Sequence, residues 1–141
     1  MSRAYAGLLA VCCVLFSACG DAVQGTTGPT PVSPSTSMFS GRLEVGATRF
    51  YSFTMSEGGT MNATLASITS ATTGTPVSES LSIGFGTPRG TGCDAAPRVE
   101  ATAALLPQVT RAVVPGVYCL EVSDTAGLAG AVNFAIRFVY Q

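Results

Sequence analysis

The sequence predicts an all-β fold, an antiparallel β-sandwich of about seven or eight short strands. Three observations lead there. Apolar and polar residues alternate in successive runs, among them Tyr51-Ser52-Phe53-Thr54-Met55, Met61-Asn62-Ala63-Thr64-Leu65 and Phe134-Ala135-Ile136-Arg137-Phe138. A period of two turns one face of each strand to a core and the other to water. Turn residues part the runs at Gly46-Ala47, Ser56-Glu57-Gly58-Gly59 and Pro115-Gly116, and no stretch repeats its apolar residues at helical spacing.

The strand expected at 117–123 organises the others. Tyr118, Leu120 and Val122 share one face, and Val117, Cys119, Glu121 and Ser123 share the other, expected to be wet. Earlier strands are expected at 39–45, 48–55 and 60–67. A Ser/Thr/Gly-rich loop follows at 69–80, then a strand at 81–85 and a long turn-rich segment at 86–97 that contains Cys93. Residues 99–106 read as either a strand or a short helical turn, closed by Pro107. Strands at 109–114 and 132–140 complete the set. Parity places Tyr51, Phe53, Leu65, Ile83, Tyr118, Leu120, Phe134, Ile136 and Phe138 in the core.

Composition narrows the function classes. The chain has 141 residues, enough for one domain of roughly 100 residues with extra segments. It has no Lys, His or Trp, and seven Arg against eight acids leave a net charge of −1. Such a chain carries no electrostatic footprint for nucleic acid or for an anionic membrane surface. Without His the commonest general base is missing, and no Gly-x-Ser-x-Gly elbow presents a nucleophile.

The N-terminus reads as a targeting segment. Arg3 precedes an apolar run at 6–16, and Phe16-Ser17-Ala18-Cys19 closes it. The run is about half the roughly twenty residues a spanning helix needs. This pattern resembles the lipobox of bacterial lipoproteins, although Phe16 stands where Leu is usual. The resemblance implies removal of 1–18, acylation of Cys19 and attachment to a membrane through that lipid. Gly20 after the cysteine implies the outer membrane of a bacterial envelope. A plain signal peptide and a short buried helix remain as alternatives. Residues 19–37, rich in Pro, Thr, Ser and Gly, read as a disordered tether, with the sandwich at 38–141.

Five cysteines become two once Cys12 and Cys13 leave with the leader and Cys19 is acylated. Cys93 and Cys119 remain, and in an oxidising compartment they form a disulfide. Two thiolates without His do not complete a zinc site unless carboxylates join them. Because Cys119 lies opposite the core-facing residues, the pair is expected outside the core, where the 90–97 loop folds back over the sheet.

Several segments in order carry a second resemblance: Ser40-Gly41-Arg42-Leu43, Thr48-Arg49-Phe50-Tyr51-Ser52-Phe53, Gly58-Gly59-Thr60-Met61-Asn62-Ala63-Thr64-Leu65 and Pro115-Gly116-Val117-Tyr118-Cys119-Leu120-Glu121-Val122. Together they resemble the bacterial pre-peptidase C-terminal domain, which implies a jelly-roll-like sandwich of the kind appended to exported proteins. The cysteine-bearing loop is a departure from that pattern.

Asp94, Glu100, Glu121 and Asp124 are the acids that the topology could gather near the cysteine loop. The plain reading is solvated loop acids. The sharper reading makes Asp94, Glu121 and Asp124 calcium ligands or a paired-carboxylate centre. The leading function is thus a non-catalytic, lipid-tethered envelope module that binds a polysaccharide, protein or peptide, or serves as a structural component, with no cofactor. The alternative is a carboxylate-dependent or calcium-assisted hydrolase.

Overall fold

A computed structural model describes residues 33–141; Cys19, the leader and most of the tether lie outside the described residues. Nine strands form where the alternating runs stand: β1 (Ser35–Leu43), β2 (Thr48–Met55), β3 (Gly59–Ser70), β4 (Leu81–Arg89), β5 (Gly92–Ala95), β6 (Val99–Ala101), β7 (Val109–Val113), β8 (Gly116–Ser123) and β9 (Val132–Tyr140). They make two antiparallel sheets packed as a sandwich. The first runs β1-β9-β3-β7 and the second β2-β8-β4-β5, with β6 also pairing with β4.

The core lies between the sheets, on the faces that parity assigns. Leu65, Ile83, Tyr118, Leu120, Phe134, Ile136 and Phe138 are buried, and Tyr51 and Phe53 pack against them half-buried. The second sheet's central strand, β8, is fixed at its start by Tyr118, whose hydroxyl donates to the Val114 carbonyl at 2.9 Å and accepts from the Val114 N–H at 3.3 Å. This ties strand to preceding turn in the manner of a tyrosine corner.

Three expectations need correction. The first strand begins at Ser35, so three serine and threonine positions given to the tether, Ser35, Thr36 and Ser37, pair instead with Tyr140, Val139 and Phe138. The turn-rich segment at 86–97 contains strand: β4 continues to Arg89, turns through Gly90 at φ 58°, and returns as β5. That hairpin and the short β6 raise the strand count to nine, and the rest of 99–106 is irregular rather than helical.

The third correction concerns the outer face of β8. Cys119, Glu121 and Ser123 are buried, although they point away from the core. The cause is in β4, whose outward positions include Gly84 and Gly86. A Cβ on Gly86 would collide with the Asp94 carbonyl, and one on Gly84 would stand 2.9 Å from the Pro97 carbonyl oxygen. With no side chains there, residues 94–98 lie down on the sheet as a strap. Alternation sets which way β8 side chains point, and at Cys119 and Glu121, which pair with Gly86 and Gly84, the strap decides that they are dry.

The first sheet is covered at an edge. Residues 102–108 run along the edge of β3 beyond the end of β7, where the Ala104 N–H donates to the Leu65 carbonyl and the Gln108 N–H to the Ala63 carbonyl, both at 2.9 Å. The Gln108 carboxamide accepts from the Leu65 N–H at 2.7 Å and donates to the Thr102 carbonyl at 2.5 Å. Thr64, an outward residue of β3, is buried.

Candidate functional site

The sandwich is open along the side where β1 of one sheet faces β2 of the other. These are edge strands of different sheets, and each pairs on one side only. Between them lies a cleft of about 330 Å³. Phe39, Phe53, Phe138 and Tyr140 supply its aromatic walls, and Ser35, Ser37, Thr54 and Ser56 its rim. Phe39 stacks on Tyr51 with centroids 5.0 Å apart and on Phe53 at 5.9 Å, while Phe53 and Phe138 meet at 4.8 Å. The Tyr140 hydroxyl is turned to the Glu57 carbonyl, to which it donates at 2.8 Å.

No ionisable carboxylate or guanidinium lines this cleft. Its chemistry is that of aromatic faces bordered by hydroxyls, which suits an uncharged ligand with an apolar face. Burial raises the pKa of the neighbouring Tyr51 phenol, against a lesser opposing pull from Arg49. Its hydroxyl therefore stays neutral and donates to the Ser40 carbonyl at 2.8 Å. The sequence held one signal of this opening: Ser35 and Ser37 occupy the core-facing parity of β1, where a closed sandwich would carry apolar residues.

The acids singled out in the sequence do not gather. Among the described residues, no group of three or more Cys, Asp or Glu side chains is placed to hold a metal ion. Glu121 lies under the strap, where its carboxylate accepts from Arg98 Nε at 2.7 Å. Asp94 is exposed, with Arg89 Nη1 at 3.5 Å. Glu100 accepts from the Thr125 hydroxyl. Of Asp94, Glu100 and Glu121, only Glu121 departs from the solvated reading, and the strap is the reason.

Asp124 is a clasp. Its Oδ2 accepts from the Gly46 N–H at 2.7 Å, and its Oδ1 accepts from the Gly127 N–H at 2.7 Å and the Leu128 N–H at 3.1 Å. The turn between β1 and β2 is thereby joined to the loop between β8 and β9. The bond from Gly46 leads in holding the Asp124 carboxyl below its ordinary pKa, partial desolvation opposes it, and the bonds from Leu128 and Gly127 add to it. A lowered folded pKa stabilises the fold above the unfolded value, and that contribution is lost as pH falls through the folded one. Asp124→Asn should lower the melting temperature at neutral pH and flatten the acid limb of the stability profile. Melting curves from about pH 7 down to about pH 2 check this; an unchanged acid limb would count against the clasp.

Cys93 and Cys119 are joined by a disulfide, with Cα atoms 5.9 Å apart. The bond pins β5 over the outer face of β8, and Cys119 is fully buried without belonging to the core cluster. At the edge of the sandwich away from the β1/β2 cleft, between β7 and β4, Arg111 closes a smaller gap between the sheets. Its Nη1 donates to the Phe85 carbonyl at 2.9 Å and its guanidinium lies 5.9 Å from the Tyr118 ring centroid.

No protein-family model matches the chain, and no curated protein matches it. The fold is an all-β sandwich, an architecture consistent with a binding or structural module.

Proposed function

We propose that this chain is a non-catalytic module of the bacterial envelope, tethered to the outer membrane through an acylated Cys19, whose sandwich is of the pre-peptidase C-terminal kind and holds a neutral polysaccharide in the cleft between β1 and β2. The cleft carries the reading: four aromatic side chains wall it, hydroxyls rim it and no charged group enters it. Sugar rings present an apolar face that stacks on aromatic rings and hydroxyls that bond to a polar rim. Binding rather than hydrolysis is favoured because the acids that catalysis would need are engaged elsewhere, Glu121 with Arg98 and Asp124 with backbone N–H groups.

A second ligand class has one observation behind it. The edges of β1 and β2 on either side of the cleft are unpaired among the described residues, and an extended peptide adds to such an edge while placing alternate side chains in a neighbouring pocket. Titration of the full chain with neutral glycans and with uncharged peptides separates the two. Phe39→Ala should weaken binding about tenfold by removing a stacking face. Because Phe39 also packs on the core, Ser37→Leu serves as a second variant that fills the cleft and leaves the core contacts in place. Ligand binding undiminished in both variants places the site elsewhere, and turnover of the glycans by the wild type would favour the hydrolase.

A further inference from the structure

Leu105 and Leu106 stand at the tip of the loop that runs along the edge of β3, and they are 88% and 77% exposed. The loop that carries them is fastened. Ala104 and Gln108 bond it to β3 on either side of the tip, the Gln108 carboxamide closes it from within, and Arg137 Nη2 donates to the Leu105 carbonyl at 2.8 Å. Pro107, the next residue but one, has no N–H to satisfy. Two adjacent leucines held outward on a fixed backbone whose polar groups are partly answered from within suit transfer into an apolar medium.

The surroundings share that character. Arg137 pairs across strands with Met38 on one side and Thr64 on the other, so the three lie in one row on the outer face. Met38 is 56% exposed beside the arginine. The outward positions of β1, β9, β3 and β7 carry Arg42 and Arg137 and no acid, and the nearby Glu44 is paired with Arg42 at 2.6 Å. The patch is thus apolar at its tip, with Arg137 beside it and the charge of Arg42 answered by Glu44.

We propose that this face docks on a lipid bilayer, with Leu105 and Leu106 in the acyl boundary and Arg137 at the level of the phosphates. A protein partner would need a complementary surface of roughly 800 Å² to hold so small and protruding a tip, whereas a bilayer needs no matching shape. The tether enters at Ser35, three residues along β1 from Met38, or about 10 Å. Residues 20–34 span at most about 50 Å when fully extended, which keeps the face within reach of the lipid and at an effective concentration near millimolar. A contact too weak to recruit a free protein is then populated. The persistence of that contact rests on the reading of Cys19 as the anchor.

The test uses the full chain on vesicles of phosphatidylethanolamine and phosphatidylglycerol, with an environment-sensitive fluorescent amino acid at position 106 or at position 117. Val117 is exposed on the second sheet and serves as the reference. Brominated acyl chains should quench the probe at 106 and spare the one at 117. Leu105→Ser with Leu106→Ser should reduce the docked fraction's equilibrium constant by about tenfold to a hundredfold, without unfolding a domain in which both residues are exposed. Equal quenching at both positions, or none at 106, overturns the proposal. So does protection of the 106 probe in whole envelopes but not on vesicles, which would assign the tip to a protein partner. Acyl labelling of Cys19, lost in Cys19→Ser, is scored on the same material: label without quenching leaves the anchor standing and removes the docking, and quenching without label does the reverse.

Discussion

Phe134→Ala is expected to destabilise the fold by about 3–5 kcal/mol, while Asn133→Ala, its neighbour in the chain, changes stability by no more than about 0.5 kcal/mol. Phe134 is fully inside the sandwich, on the central strand β9 of the first sheet. Its ring meets Tyr51 of the opposite sheet edge-on, with centroids 6.4 Å apart. Gly41 of β1 leaves the space that both rings use: a Cβ there would stand 2.7 Å from the Tyr51 hydroxyl and 3.4 Å from the Phe134 ring. Truncation therefore leaves a cavity bounded by two strands and a facing ring, with little freedom to collapse. Asn133 faces outward and is exposed. Chemical denaturation of the two variants measures the difference, and equal effects would contradict the parity of β9.

Replacing Cys93 and Cys119 together by Ala is expected to destabilise by about 3.5 kcal/mol, the chain-entropy value for closing a loop of this length. The two cysteines are 26 residues apart in sequence. That is a large share of the roughly 5–15 kcal/mol by which a domain of this size is stable. The structure adds a local consequence. The strap that the disulfide pins also brings Arg98 to the buried Glu121, so loosening it admits water to a carboxylate that is otherwise dry. Amide exchange at Glu121 and Ser123 should therefore accelerate in the variant before exchange at Phe134 does. A variant with wild-type stability and unchanged exchange over β8 would show that the strap holds without its covalent clasp.

The parts of this architecture that could be read in advance are those governed by near neighbours. Side chains at alternate positions of a strand must oppose one another, so Leu65, Ile83, Leu120, Phe134 and Ile136 were assignable to the core from spacing alone. The dryness of Glu121 was not, because its cover comes from residues 94–98, remote in sequence. Gly84 and Gly86 at outward positions of β4 were the available hint, since a bare backbone there invites another chain to approach. The cysteine pair did point to the fold-back, because a covalent bond is a long-range constraint written in two residues. The cleft was hidden for a different reason. It belongs to β1 and β2, which lie in separate sheets and face each other without pairing, so that beyond the serines at core-facing positions of β1 neither strand's pattern names its neighbour across the gap.

The place of β9 between β1 and β3 has a consequence for the order in which this chain acquires structure. The first strand of the domain has no partner until the last one arrives, because Ser35 through Leu43 pair only with residues 132–140. β3 likewise lacks its larger partner until then. Pairings between segments so far apart in sequence close late, since the loop entropy must be overcome before any contact compensates it. As the chain lengthens from its N-terminus, β2, β8 and β4 can assemble the second sheet from residue 123 onward, while the first sheet waits for the final nine strand residues. Until they emerge, β1 has no partner and β3 pairs with β7 alone, so the first sheet is the last part of the sandwich to close.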